Sequence, residues 1–332
     1  MLALINTLTL YASMLYAKDH DAARAPRGPR APQAGSATVD PEAFRRELLR
    51  RLNDARAAAG APPLRLSPAL DRAAQRHVED VVARGSLRGE RRPEQAMERR
   101  LRETGYDAHQ WAENLMSGPA SPAELVAAWR RDDSDGTFRR LLEPTYTDLG
   151  IGIGRLDGAP LYSILFAVPQ SEAFARETAA LRDRERVRAE LVTLVNDERR
   201  RADKQGVPRQ ATGGAAAGRQ PLTVDSRLDA AAQRHADDML ARSYFAHRDP
   251  DGKTVRERAR EAGFDWSAIG ENIAEGQQSV KEVVESWMRS AGHRENILDR
   301  RYTRTGVGLA LGRDPKTGEY RILWVQTFGL QR

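Results

Sequence analysis

The sequence predicts an α+β fold with an antiparallel sheet, built twice in tandem along one chain, and three observations predict it. With 332 residues and 40% apolar side chains, the chain exceeds one ordinary domain and can fill two cores. Compared with itself at a constant offset of 158 residues, it repeats. Leu64 falls on Leu222, Leu70-Asp71 on Leu228-Asp229, Ala73-Ala74-Gln75-Arg76-His77 on Ala231-Ala232-Gln233-Arg234-His235, Glu113-Asn114 on Glu271-Asn272, and Trp129 on Trp287. Within each copy the helical patterns come first and the extended runs last, which argues for a segregated antiparallel sheet and against alternating βαβ units.

Residues 1–17 are mostly apolar and carry no charge, and they are too few to span a bilayer, so they read as a signal peptide and leave no transmembrane span in the mature protein. Residues 18–40 are rich in Ala, Arg, Pro and Gly without apolar periodicity and read as a solvated linker. The first copy covers residues 41–170. Residues 171–186, charged and free of Pro and Gly, predict a helical linker that runs directly into the first helix of the second copy, residues 187–332. That copy also carries a Gly/Ala-rich insertion near residues 205–220, read as a surface loop.

Each copy opens with a helix that carries Asn53-Asp54 and Arg56, or Asn196-Asp197 and Arg200. Each closes on alternating glycines, Gly150-Ile151-Gly152-Ile153-Gly154 or Gly306-Val307-Gly308-Leu309, followed by a final extended run. Asp157-Gly158 and Thr317-Gly318 supply the hairpin turns between them. The expected order is helix, helix, loop, short helix, loop, helix, hairpin.

The net charge of +6 comes from arginines scattered among almost as many acids. No basic block interleaves aromatics, which excludes a nucleic-acid groove and leaves a basic surface suited to anionic envelopes or membranes. The absence of cysteine excludes disulfides, thiolate zinc sites and a cysteine nucleophile.

Chemistry concentrates in the second copy. His247 lies on a loop between the apolar pair Tyr244-Phe245 and the turn-forming Asp249-Pro250-Asp251-Gly252. Glu271 sits in a Gly270-Glu271-Asn272 break read as the start of a helix, where its bland role is a cap. Ser290 and His293, three apart, close the helix that contains Trp287, with Gly292 expected to end it. Two imidazoles and a carboxylate suit a divalent metal such as zinc, held by His247 and His293. They equally suit a histidine that activates Ser290 or water.

The repeat acts as a control, because the first copy has Gly89, Asp132 and Asp135 at the positions of His247, Ser290 and His293 while it retains Glu113 and Trp129. His77 and His235 occur in both copies and read as packing residues, as do Trp129, Trp287, Trp324, Val325 and Phe328.

The ordered series Phe245-Ala246-His247, Gly270-Glu271-Asn272-Ile273-Ala274, Trp287 to Leu298 with its Ser290-Ala291-Gly292-His293, Gly306-Val307-Gly308 and Val325-Gln326-Thr327-Phe328-Gly329 resembles the bacterial branch of the CAP superfamily. That superfamily unites the cysteine-rich secretory, antigen-five and pathogenesis-related proteins, also called SCP-like. The likeness spans about residues 185–332, and the first copy resembles the family in scaffold only.

The resemblance implies an α-β-α sandwich with a cleft lined by His247, His293 and Glu271. Ser290 stands where many relatives carry a second acid, which weakens a cation site. It also implies an extracellular or envelope location. Two functions follow. One is a secreted binding module whose cleft holds a small ligand, lipid, envelope component or divalent metal. The other is a peptidase- or esterase-like hydrolase that uses His247 or His293 with Glu271 and either Ser290 or a metal-bound water, although no nucleophile-elbow or HExxH motif is present.

Overall fold

A computed structural model describes residues 13–16, 40–87, 92–133, 136–205 and 218–332. The expected signal peptide and linker therefore lie outside the described residues apart from 13–16 and Asp40. So do Gly89, Asp135 and most of the inserted loop. The chain divides into two compact units, Met1–Ala173 and Phe174–Arg332.

In the first unit, Asp40 caps α1 (Pro41–Ala58), with Pro41 in its first turn. After β2 (Arg65–Leu66), Ser67 caps α2 (Pro68–Arg84), which Gly85 ends in the left-handed conformation. There follow α3 (Pro93–Glu103), β3 (Ala108–Ser117), α4 (Pro122–Arg131), the one-turn α5 (Thr137–Leu141), β4 (Asp148–Leu156) and β5 (Ala159–Pro169). Both Asp157 and Gly158 have positive φ, as a two-residue hairpin turn requires. Residues 13–16 form β1, which runs parallel along β3, so the sheet order is β1-β3-β5-β4-β2.

The second unit begins within α6 (Gln170–Glu177). The charged linker is not one continuous helix: α6 stops at Glu177, a 3-10 turn spans Ala179–Leu181, and α7 (Arg184–Lys204) starts afresh under an Asp183 cap. The break has a local cause, since the Thr178 hydroxyl donates to the Phe174 carbonyl at 2.7 Å, and Leu181 is buried there. The order then repeats as β6 (Thr223–Val224), α8 (Ser226–Ala241), α9 (Val255–Glu261), β7 (Trp266–Glu275), α10 (Val280–Arg289), α11 (Ala291–Leu298), β8 (Arg304–Arg313) and β9 (Tyr320–Gln331). The sheet order is β6-β8-β9-β7, with both main pairings antiparallel.

Each sheet carries helices on both faces, which makes each unit an α-β-α sandwich. In the second unit Leu191, Val283, Trp287 and Ile297 pack with Trp324 and Phe328 on one face. Ala232, Ala236 and Met239 of α8 pack with Ile273, Leu323 and Val325 on the other. All five aromatic and aliphatic residues read from sequence as core are buried, with Trp129 at 1% and Trp287, Trp324, Val325 and Phe328 at 0% exposure. An indole in such a core is worth about 3–5 kcal/mol against truncation to alanine.

The repeated motifs hold the helix of one face against the strand. A Cβ on Gly306 or Gly308 would come within 2.1 and 2.3 Å of the Leu228 and Ala232 backbones, so only glycine lets α8 lie directly on β8. Beyond its short pairing with β6, β8 is an edge strand, and α8 covers that edge with side-chain acceptors: Asp229 Oδ1 takes the Val307 N–H at 2.8 Å and Gln233 Oε1 that of Leu309 at 3.1 Å. Asp71 and Gln75 do the same for Ile151 and Ile153. Arg199 and Arg56, both fully buried, bind loop carbonyls: Arg199 those of Gln220, Ile297, Asp299 and Tyr302, and Arg56 those of Pro62, Leu141, Glu143 and Tyr146.

Candidate functional site

Glu271 is not at a helix start. It lies inside β7, paired with Thr327 of β9. The strand escapes a pattern reading because one of its faces is Ala268, Gly270, Asn272 and Ala274, small or polar, while the other interrupts Ile269 and Ile273 with the carboxylate itself. The element order therefore gains a strand between helices that the sequence reading lacks.

The Glu271 side chain is only 2% exposed, and such a charge is tolerable only with partners. Arg258 of α9 donates to Oε2 at 2.8 Å, and His247 meets Oε1 through Nδ1 at 2.9 Å. The carboxylate makes Nδ1 the protonated nitrogen and leaves Nε2 as the free one. His247 lies on the loop between α8 and α9 with its side chain 56% exposed, so a buried charge orients a ring that solvent reaches. Arg258 also binds the carbonyls of His247 and Lys253, so it fixes the loop and the carboxylate together.

His235, buried in α8, is 3.9 Å from Glu271 Oε1 and bonds the Ala246 carbonyl at 3.1 Å. Burial lowers its pKa, and it steadies the residue next to His247. Its reading as pure packing thus misses a place beside the carboxylate. Tyr244 donates to Asp238 and lies 3.4 Å from the His235 Nδ1.

His293 is in the first turn of α11. Gly292 does not end a helix here: α10 stops at Arg289, and Ser290 is the junction from which α11 starts. Asn272 donates to the His293 carbonyl at 3.0 Å, while Asn296 donates to the Glu271 carbonyl at 3.1 Å and to Asn272 Oδ1 at 2.9 Å, which ties α11 to β7. Burial first, and the electrostatic influence of His247 second, push the His293 imidazole below its ordinary value. Ser290 is half-buried and makes no side-chain cap; among the described contacts it bonds neither histidine.

The first unit supplies the control in three dimensions. His77, Arg100 and Glu113 stand at the same offset as His235, Arg258 and Glu271. There the helix histidine itself closes on the carboxylate, with Nδ1 2.6 Å from Oε1 and both side chains 1% exposed. Ser163 donates to the same oxygen at 2.6 Å, and Arg100 is 3.7 Å from the other. Although burial raises it, His77, Arg100 and Ser163 together hold the Glu113 carboxyl below the usual range.

The counterpart of His293 is Thr137 and not Asp135, since Leu141 and Ile297 accept the same bond from Arg56 and Arg199. The first unit still lacks that imidazole. Arg258 and His235 were discoverable in the sequence, because the 158-residue offset carries Arg100 and His77 onto them.

The donor set does not fit a divalent cation. Among the described residues no three His, Cys, Asp or Glu side chains gather as metal ligands, and Arg258 sets a positive charge on one oxygen of Glu271. The zinc expected at His247 and His293 therefore lacks a ligand set among the described residues.

Two α-β-α sandwiches in tandem, one on a five-stranded and one on a four-stranded sheet, each with a buried glutamate met by a histidine, define a duplicated sandwich protein. The profile of the cysteine-rich secretory protein (CAP) family matches residues 49–164 and 192–328, and the chain belongs to that family. It is 34% identical to the Bacillus subtilis protein YkwD over 138 residues, 42% of this chain and 45% of that protein. It is 36% identical to the B. subtilis membrane protein YlbC over 75 residues, 23% and 22% of the two chains. The matched part is therefore less than half the length of either relative.

Similar solved structures include an extracellular SCP-domain protein of Bacillus anthracis, with 20% identity, 52% and 53% coverage and a TM-score of 0.33. A cysteine-rich secretory protein of Staphylococcus aureus has 14% identity, 55% and 54% coverage and a TM-score of 0.32. An outer surface protein of Borrelia burgdorferi has 17% identity, 43% and 92% coverage and a TM-score of 0.33.

Proposed function

We propose that this is an exported CAP protein whose C-terminal unit binds a small polar ligand or lipid head group in the cleft between His247 and His293. The N-terminal unit serves as a scaffold that has lost the site. One observation carries the reading: the carboxylate sealed by His77 in the first unit is, in the second, turned toward a 56% exposed imidazole whose Nε2 is left for a ligand. Export rests on family membership. No helix among the described residues is long and apolar enough to cross a membrane.

Thermal unfolding of the full chain against muropeptides, phospholipid head groups and fatty acids tests the binding. A true ligand at a hundredfold its Kd adds about 2.7 kcal/mol, roughly 5–10 °C in a unit of this size. The shift should vanish in His247→Ala/His293→Ala. If no compound stabilises the wild type more than the double variant, the cleft is not a binding site.

A hydrolase is favoured by one feature, the Nδ1–carboxylate bond that leaves Nε2 as a base. Because Ser290 is not paired with that ring, its nucleophile would be water. Turnover of a peptide and ester panel that is lost in His247→Ala would establish it over simple binding.

A further inference from the structure

Arg256 and Arg260 lie one turn apart on α9, and their guanidinium carbons are 5.8 and 4.8 Å from the centre of the Trp266 ring at the start of β7. The indole is fixed in turn, since its Nε1 donates to the Arg256 carbonyl at 3.3 Å. Both arginines are exposed, and among the described residues neither is in an ion pair. Their acidic neighbours are engaged elsewhere, Glu257 in the Thr254 cap and Glu261 with Lys253. Like charges at this spacing oppose helix formation, a cost that the contacts with the indole offset.

The repeat again separates fold from function. At the same offset the first unit has Glu98 for Arg256 and Ala108 for Trp266, with Arg102 matching Arg260 alone. It keeps its helix and strand without the stacked pair. The two free cations on a ring are thus confined to the unit that carries His247.

We propose that Arg256, Arg260 and Trp266 form a contact for lipid phosphates that docks the C-terminal unit on an anionic membrane surface. Contact with the indole restrains both guanidiniums, and their exposed N–H edges can form two-pronged hydrogen bonds to phosphate oxygens. A half-exposed indole beside them suits the head-group layer. The two guanidiniums stand side by side on an exposed helix face, which suits an array of phosphates at a surface. The net charge of +6 draws the chain toward such a surface.

The test is sedimentation of the full chain with phosphatidylcholine vesicles, with and without about one third phosphatidylglycerol. The wild type should bind the anionic vesicles only, and less as salt rises. Arg256→Gln/Arg260→Gln should weaken partitioning roughly 30-fold, the effect of two cations near a charged bilayer. Because both side chains are exposed, the thermal transition of that variant should stay in place. Arg256→Lys/Arg260→Lys, which keeps charge without the planar fork, should fall between. Equal partitioning of wild type and the glutamine variant would overturn the proposal, as would binding to soluble polyphosphate without binding to vesicles. A lysine variant equal to wild type would overturn the stacked geometry.

Discussion

Replacing Glu271 by glutamine removes the one negative charge that Arg258 meets in the interior of the second unit. The side chains of Arg258 and Glu271 are 8% and 2% exposed, so the guanidinium left behind has little water to turn to. Breaking a buried pair on one side costs about 3–5 kcal/mol. Arg258 keeps the carbonyls of His247 and Lys253 as acceptors, and glutamine keeps one acceptor oxygen, which points to the lower end, about 3 kcal/mol.

In a unit of this size that lowers the transition by roughly 6–12 °C. Differential scanning calorimetry of the full chain reads it, with Glu113→Gln as the companion that shifts the first unit's transition instead. Adding Arg258→Met to Glu271→Gln removes both charges. The double variant should be more stable than the sum of the single losses predicts by about 1 kcal/mol or more. A shift under about 2 °C for Glu271→Gln, or single effects that add within about 0.5 kcal/mol, would refute the ion pair as the anchor of the site.

Gly308→Ala drives a methyl group to 2.3 Å from the Ala232 backbone, so α8 must lift from the sheet. Overpacking against main chain should cost about 3 kcal/mol or more, and hydrogen exchange should quicken along α8 and the start of β8; unchanged protection would contradict the close approach. Burial holds the His235 and His293 imidazoles below their ordinary value, so the unfolded chain takes up protons near pH 6.5 while the folded one does not. Stability of the second unit is therefore full above about pH 6.5 and declines as pH falls toward the folded values. Urea unfolding at pH 7.5 and 5.0, above the range where exposed carboxylates titrate, should show that loss, and a gain on acidification would reverse the sign of the argument.

Much of the fold is legible in the repeat. Asp71 and Gln75 recur as Asp229 and Gln233 because each pair covers a strand edge, and Gly150 and Gly152 recur as Gly306 and Gly308 because a helix backbone lies on them. The loop position of His247 and the buried indoles follow from local pattern. The placement of Glu271 does not, since a strand of small residues interrupted by a carboxylate has no clear period. The Ser290 junction also defies local reading, because Gly292 lies inside a helical first turn that is tied to β7 through the Asn272 and Asn296 contacts.

By itself the amino-acid order determined that the chain is a duplication, that each copy is an α+β sandwich, and that only the second keeps two candidate imidazoles. Tertiary structure alone decided that His247 takes the carboxylate which His77 occupies in the first copy. It also decided that Arg258 neutralises that carboxylate and that Arg256 and Arg260 meet on one indole. The physical reason is that a buried charge is stable only when groups far along the chain converge on it. That convergence is a property of packing, which no local spacing of residues records.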